Sequence, residues 1–157
     1  MPILESQIDR RSEDYKRNRE KMLAAIAEFR GAEAIVQAAT EKARARFAKR
    51  KQLMPRERIA LLLDRGAPFL ELMPLAGYRM HDDKDGSGAG GGSVSGVGYV
   101  EGVRCVVTAS NSAIKGGTVA PSGQRKGQRV QQVVMENKLP VVNLVESGGA
   151  NLLYQAE

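Results

Sequence analysis

The last quarter of the chain places a glycine-rich loop, an amphipathic segment, an apolar run and a second glycine pair in immediate succession. The loop is Lys115-Gly116-Gly117-Thr118, a helical pattern covers 121–137, and the apolar run 141–145 leads into Gly148-Gly149. Consecutive backbone N–H groups at a strand-to-helix turn can stabilise a developing negative oxygen. This order predicts an α/β layered domain whose loops present backbone N–H groups to a ligand.

Both glycine loops also have a plain interpretation. Glycine suits any tight turn, because it lacks a Cβ atom and adopts positive φ at little steric cost. Alternatively, the first loop lines a pocket opposite Gly148-Gly149, and Arg125 and Lys126 bind phosphates. The pattern alone leaves both interpretations open.

Catalysis by a protein nucleophile is not indicated. The chain has one histidine, His81, and it stands in the polar stretch 81–93. The sequence therefore offers no Ser-His-Asp or Cys-His arrangement. Ser147 stands in Glu-Ser-Gly-Gly, which lacks the Gly-x-Ser-x-Gly elbow of the serine hydrolases. The remaining chemistry is that of the backbone.

Charge and cysteine content exclude several classes of protein. The net charge of +6 arises in residues 1–66, where basic residues alternate with acidic ones and few aromatics offer a stacking surface for bases. We therefore expect a solvated helical face or a docking arm for a partner subunit, and no nucleic acid. The single cysteine, Cys105, excludes an internal disulfide and is predicted to be buried in a strand.

No apolar run reaches the length of a membrane span, and the N-terminus lacks the pattern of a secretory signal. We expect an intracellular, soluble protein that does not contact a membrane.

Periodicity and turn residues predict the elements. The predicted helices are 6–30 with a stop at Gly31, 32–50, a short one opened by Pro55, and 121–137. Residues 66–75 are predicted to form a turn followed by a short extended piece. The predicted strands are a hairpin of 95–100 and 103–110 around Glu101-Gly102, and 141–145 covered on both faces.

Residues 81–93 form a polar, glycine-rich stretch with four potential metal ligands: His81, Asp82, Asp83 and Asp85. These lack the ligand spacing of a calcium loop. A flexible linker is predicted, and no metal site.

Several motifs, in the same order, resemble the N-terminal part of the carboxyltransferase (β) subunit of biotin-dependent acyl-CoA carboxylases. The branch that the chain resembles most is that of the methylcrotonyl-CoA and geranyl-CoA carboxylases. The motifs are Leu53–Ile59, Leu62–Asp64, Pro68–Leu72, Ile114–Thr118 and Glu146–Leu152.

The resemblance implies a crotonase-like (ClpP/crotonase) α/β layered domain, incomplete here and preceded by N-terminal helices. Residues 1–66 would be a basic helical segment, and residues 67–157 the first part of the carboxyltransferase N-terminal domain. In that family the Ser-Gly-Gly-Ala loop stabilises an acyl-CoA enolate through N–H groups, which corresponds to Gly148, Gly149 and Ala150. The acyl-CoA pocket would include Lys115, Gly116, Gly117, Thr118, Arg125 and Lys126.

The implied reaction moves CO2 from carboxybiotin to the enolate. Biotin would be carried by a biotin carboxylase/carboxyl-carrier (α) subunit, the β subunits would form a homo-oligomer, and no metal would be bound by this chain. The compartment would be the bacterial cytoplasm or the mitochondrial matrix. Because the family's subunits are about three times longer, with two full domains, we expect this chain alone to be inactive.

Two departures from the family pattern are visible: Val119-Ala120-Pro121 follows the first glycine loop, and Glu146 stands where the family commonly has Asp. Two rival functions remain. A crotonase-like hydratase, isomerase or decarboxylase would use Glu146 as its acid/base group. A non-catalytic CoA-binding or assembly module would dock a partner through helices 6–50.

Overall fold

The computed structural model describes residues 5–80 and 83–150. The elements are α1 Glu13–Glu41, α2 Arg44–Lys49, α3 Pro55–Leu62, β1 Leu70–Leu72, β2 Ser93–Val100, β3 Val103–Ser110, a 3-10 turn Lys115–Gly117, α4 Pro121–Asn137 and β4 Val141–Leu144. No helix of the described residues is both long and apolar enough to cross a membrane.

The first helix departs from the predicted boundaries. It begins after Ser12, whose hydroxyl accepts the Tyr15 N–H at 3.2 Å as an N-cap, and it continues through Gly31 to Glu41. The predicted stop at Gly31 is wrong because one internal glycine costs a helix only about 1 kcal/mol relative to alanine. The good helix formers on either side of Gly31 outweigh that cost.

One sheet holds all four strands in the order β1-β2-β3-β4, with antiparallel pairs except for the parallel β3–β4 pair. The predicted hairpin is confirmed. Glu101 and Gly102 form its turn with φ of 49° and 73°, as in a type I′ turn. The carboxylate of Asp64 accepts both of their N–H groups, at 2.7 and 2.8 Å.

The core lies where α3 packs on the sheet. Ile59 of α3 joins Val94, Cys105 and Val107 in one buried cluster, which confirms that Cys105 is a buried strand residue. Val106 points to the opposite face of β3 because side chains alternate along a strand, and it too is fully buried. Both faces of β3 are therefore covered.

The chain divides into two compact units, Met1–Ala32 and Glu33–Glu157. The second unit includes α3, which contributes Ile59 to the core of the sheet.

The last strand is not covered as predicted. β4 lies at the edge of the sheet, its residues alternate between exposed and half-buried, and Val141 is 44% exposed. The apolar run 141–145, which Asn143 interrupts, predicted burial on both faces. Among the described residues, no further element pairs with the outer edge of β4.

The β3–α4–β4 crossover positions the functional loops. β3 and β4 are parallel, so both end at the same edge of the sheet, and α4 begins between them in the chain. Ligands of open α/β sheets bind outside the carboxyl ends of such strands. The predicted bounds of α4 are confirmed at both ends, with Pro121 in its first turn.

Candidate functional site

The two glycine loops predicted from the sequence lie side by side at this edge. We call residues 115–119 and 146–150 the paired loops. The N–H of Gly148 donates to the Gly117 carbonyl at 3.1 Å, and the N–H of Val119 donates to the Gly149 carbonyl at 3.0 Å. Val119 and Ala150 form an isolated parallel bridge. These main-chain hydrogen bonds join the glycines of the two loops.

Close approach of the backbone explains why glycine occupies two of these positions. A Cβ atom on Gly148 would lie 2.8 Å from the carbonyl oxygen of Gly116. One on Gly117 would lie 3.0 Å from the Glu146 carbonyl oxygen, and Gly117 also has a φ of 79°. Any side chain there would push the paired loops apart.

The N–H groups of the second paired loop differ in availability. Gly148 donates to Gly117, and Gly149 donates to the Ser147 hydroxyl at 3.1 Å. The N–H of Ala150 makes no hydrogen bond to another described residue. The N–H groups of Gly148 and Gly149 are thus both paired within the two loops. The helix expected to follow lies outside the described residues.

A cavity of about 240 Å³ opens beside the paired loops. Its lining is mainly main chain, small side chains and hydroxyl groups, supplied by the carboxyl ends of β3 and β4, the start of α4 and the chain before β2. The lining residues are Gly91, Gly92, Ser93, Ser110, Gly117, Thr118, Val119, Gly123, Val145 and Ser147. Such a surface can bind a ligand through shape and backbone hydrogen bonds.

The carboxylate of Glu146 is bound by other side chains. Its carboxylate accepts the Ser112 hydroxyl at 2.7 Å and forms an ion pair with Arg58 at 3.4 Å. Arg58 also donates to the Ser110 carbonyl at 2.6 Å, so it connects α3, the end of β3 and the second paired loop. This network holds the loop, and it occupies the carboxylate that a hydratase or decarboxylase would use.

The predicted cationic residues lie in different environments. Lys115 and Arg125 are exposed. Lys126 is only 2% exposed, and its ammonium donates to the carbonyls of Gly90 and Ser93 at 3.0 and 2.7 Å. Burial lowers the pKa of Lys126 to about 8. Its ammonium faces protein carbonyls rather than solvent.

The prediction of a flexible linker before β2 is wrong for its described part. We call residues 83–93 the anchored loop. Asp83, 9% exposed, accepts the N–H of Arg79 at 3.0 Å and that of Gly88 at 2.7 Å. Hydrogen bonds to a buried carboxylate supply the order that apolar burial could not.

Sequence reasoning missed the contribution of the anchored loop to the cavity. A signal was present, because Lys126 precedes the buried Val130 by one helical turn and shares its face. Of the four potential metal ligands, His81 and Asp82 lie outside the described residues. Within the described ranges, no three His, Cys, Asp or Glu side chains lie close enough to hold a metal ion.

Comparison with known proteins identifies the family of the chain. The family model described as the carboxyl transferase domain matches residues 45–157. The chain belongs to this family. Among solved structures, the β subunit of geranyl-CoA carboxylase from P. aeruginosa is 59% identical with a TM-score of 0.86, over 99% of this chain and 29% of that one.

Curated relatives point to the same branch. The probable methylcrotonoyl-CoA carboxylase β chain of Drosophila melanogaster is 40% identical over 156 residues, which are 99% of this chain and 27% of the relative. The biotin-dependent 3-methylcrotonyl-coenzyme A carboxylase β1 subunit of Mycobacterium tuberculosis is 46% identical over 117 residues, 74% of this chain and 22% of the relative. The chain thus spans about a quarter of the length of such relatives.

The predicted family and fold are confirmed. The transcarboxylase 12S structure, 19% identical with a TM-score of 0.71 over 86% of this chain, shares the fold as well. Together with the observed helices and mixed sheet, these neighbours establish an incomplete α/β layered domain of the crotonase type.

Proposed function

We propose that this chain is the acyl-CoA-binding part of the carboxyltransferase component of an acyl-CoA carboxylase. The observation that carries the proposal is the pair of hydrogen-bonded glycine loops beside a cavity at the carboxyl ends of β3 and β4. Names of the relatives, geranyl-CoA and methylcrotonyl-CoA carboxylases, favour a branched, unsaturated acyl-CoA. The whole protein would transfer CO2 from carboxybiotin to the acyl-CoA enolate.

The chemical task of the paired loops is to stabilise a thioester enolate. Removing a proton from the acyl group places negative charge on the thioester oxygen, and preorganised N–H donors lower the energy of that charge. We expect the N–H of Ala150 to be such a donor. The close approach of Gly148 to the Gly116 carbonyl and the hydrogen bond from Val119 to the Gly149 carbonyl hold the loop beside it. Carboxybiotin, when its carrier is bound, supplies the CO2 that the enolate attacks.

The remaining predicted residues would bind the rest of acyl-CoA. Gly117 and Thr118 line the cavity, and Lys115 and Gly116 lie exposed in the same turn. The exposed Arg125 lies in the second turn of α4, near the positive end of that helix, which favours phosphate groups. Lys126 contributes indirectly, because its ammonium is already bound to carbonyl groups.

Partner binding is the second part of the proposal. The M. tuberculosis relative is named as biotin-dependent, so we propose a biotin-carrying α subunit as partner, and a homo-oligomer of the full β subunit. Helix α1 carries exposed apolar side chains at Met22, Leu23, Ile26 and Phe29 that a partner could cover. By analogy with the mitochondrial relatives and the bacterial ones, the compartment would be the matrix or the cytoplasm.

The rival reactions are less well supported. A hydratase or decarboxylase needs an available acid/base group, and Glu146 is bound to Arg58 and Ser112. A non-catalytic assembly module would not need the cavity beside the paired loops. Ligand binding separates this module from the proposed function.

The first experiment measures binding of geranyl-CoA and methylcrotonyl-CoA to the 157-residue chain by thermal shift and calorimetry. A ligand at 100 times its dissociation constant should stabilise the chain by about 2.7 kcal/mol. CoA alone should bind more weakly than the acyl forms, because the acyl group is expected to enter the cavity. Absence of binding by either acyl-CoA would contradict the proposal.

The second experiment tests the paired loops with Gly148→Val. The new side chain would collide with the carbonyl of Gly116 and displace the loop beside the cavity, so we expect acyl-CoA affinity to fall by about tenfold, the equivalent of one hydrogen bond. Gly127→Val is the matched control, because nothing lies within 4 Å of a Cβ atom at Gly127. Equal affinities of the two variants would remove the assignment.

A further inference from the structure

The buried lysine of α4 has a structural task that the proposed function leaves unassigned. Lys126 is 2% exposed, and its ammonium bonds the carbonyls of Gly90 and Ser93, which flank the last two glycines of the anchored loop. No ion pair to Lys126 occurs among residues 5–80 and 83–150. Glu71 and Arg56, which act on it electrostatically with opposite signs, are bound to each other at 2.7 Å.

The segment held by these bonds is conformationally costly. Gly90, Gly91 and Gly92 all have positive φ, at 94°, 61° and 67°, and glycine loses more conformational freedom on ordering than other residues. The loop also touches α4 directly, since a Cβ atom on Gly123 would lie 2.6 Å from the Gly91 carbonyl oxygen. Without a fixed partner for its carbonyls, such a segment would sample many conformations.

The same segment forms one wall of the cavity. Gly91, Gly92 and Ser93 line it together with Gly117 and Thr118 of the first paired loop and Gly123 of α4. We propose that Lys126 is a positioning residue, which clamps the anchored loop to α4 and thereby fixes the wall of the acyl-CoA site. This inference rests on the proposed function for its ligand, but the clamp itself is a property of the ligand-free chain.

A direct phosphate contact is the competing role for Lys126. That role requires the ammonium to leave its two carbonyl acceptors and reach solvent. The two roles predict different results for the loop without ligand, and for ligands that differ by a single phosphate.

The ligand-free test is amide hydrogen exchange on the 157-residue chain with Lys126→Met. In this variant the amides of Gly90 and Ser93, which donate to the carbonyls of Ala76 and Gly90, should exchange about tenfold faster. Amides of the central strand β3 at Val106 and Val107 should exchange at the wild-type rate. Arg129→Met, which removes an exposed charge from the same helix, should change none of them.

Two results of this test would overturn the clamp. One is unchanged exchange at Gly90 and Ser93 in Lys126→Met. The other is equal acceleration throughout β3, which would mean that Lys126 supports the whole domain rather than the loop.

The ligand test compares methylcrotonyl-CoA with its 3′-dephospho form. The clamp predicts that Lys126→Met loses the same factor of affinity, about tenfold, for both ligands, with Arg129→Met at the wild-type affinity. A loss confined to the phosphorylated ligand, or no loss, would overturn the inference. If the wild-type chain binds neither ligand, the proposed function fails, while the exchange result still decides whether Lys126 clamps the loop.

Discussion

The anchored loop and the paired loops use glycine in opposite ways. Buried side chains, Asp83 and Lys126, hold the anchored loop by its N–H and carbonyl groups. The paired loops bond each other through the main chain and stay largely exposed, with the N–H of Ala150 open. We propose that the two regions have different tasks. The side-chain anchors fix one wall of the cavity, whereas the main-chain pairing leaves the N–H of Ala150 for a ligand.

The most damaging change to the anchored loop should be Asp83→Ala. It leaves two N–H groups, of Arg79 and Gly88, without their acceptor in a part-buried site. We expect the free energy of unfolding to fall by about 2–4 kcal/mol, since each unpaired buried donor costs about 1–3 kcal/mol. Urea denaturation measures this loss.

The matched control is Asp85→Ala. Asp85 is exposed and accepts the N–H of Ser87, which water can replace. Its loss should be below about 1 kcal/mol, within the usual range for surface changes. Equal losses for the two variants would mean that Asp83 is no anchor.

The next effect is the pH dependence caused by Lys126. Its pKa falls from 10.5 to about 8 on folding because of burial, so the unfolded chain binds more protons between these values. The free energy of unfolding should therefore gain up to about 3 kcal/mol as the pH rises from 8 to 10.5, and the cost of burying the charge is complete below pH 8.

Urea denaturation of Lys126→Met across this range tests the sign. The variant should lack the Lys126 contribution to the rise, whereas Arg129→Met should keep it. Parallel curves for wild type and Lys126→Met would contradict the account.

A smaller effect separates close approach from backbone strain in the paired loops. Gly116 and Gly117 both have positive φ, but a Cβ atom at Gly116 meets nothing within 4 Å, whereas one at Gly117 meets the Glu146 carbonyl at 3.0 Å. Gly116→Ala should cost about 1 kcal/mol from the left-handed conformation alone. Gly117→Ala should cost about 2 kcal/mol, because the contact adds to the strain. Equal denaturation midpoints for the two variants would show that the close contact at Gly117 adds no cost to the backbone strain.

Local patterns predicted most of the sheet and α4. Val-rich segments on both sides of Glu101-Gly102 indicate a hairpin, and Pro121 followed by a 3.6-residue period indicates a helix. The predicted end of the helix at Gly31 is wrong because helix propensity is summed over the whole segment, and one glycine does not decide it.

Only part of the candidate site could be predicted from the sequence. The glycine pairs predict a close approach of two backbone segments, and in the structure the two pairs are hydrogen-bonded to each other. Two features depend on residues distant in the chain: Lys126 reaches carbonyls more than 30 positions earlier, and Arg58 reaches Glu146 from α3. Which face of α4 is covered is decided by tertiary packing, which local periodicity does not specify.

The most direct test of the account is an acyl-CoA titration of the chain labelled with 15N-glycine. The account predicts that the glycine amides of both loop regions shift on binding methylcrotonyl-CoA, while those of Gly66 and Gly102, in turns away from the cavity, do not. The responsive amides should be Gly91, Gly92, Gly116, Gly117, Gly148 and Gly149. If binding leaves these six unchanged, or shifts only Gly66 and Gly102, the site is elsewhere and the central claim is wrong.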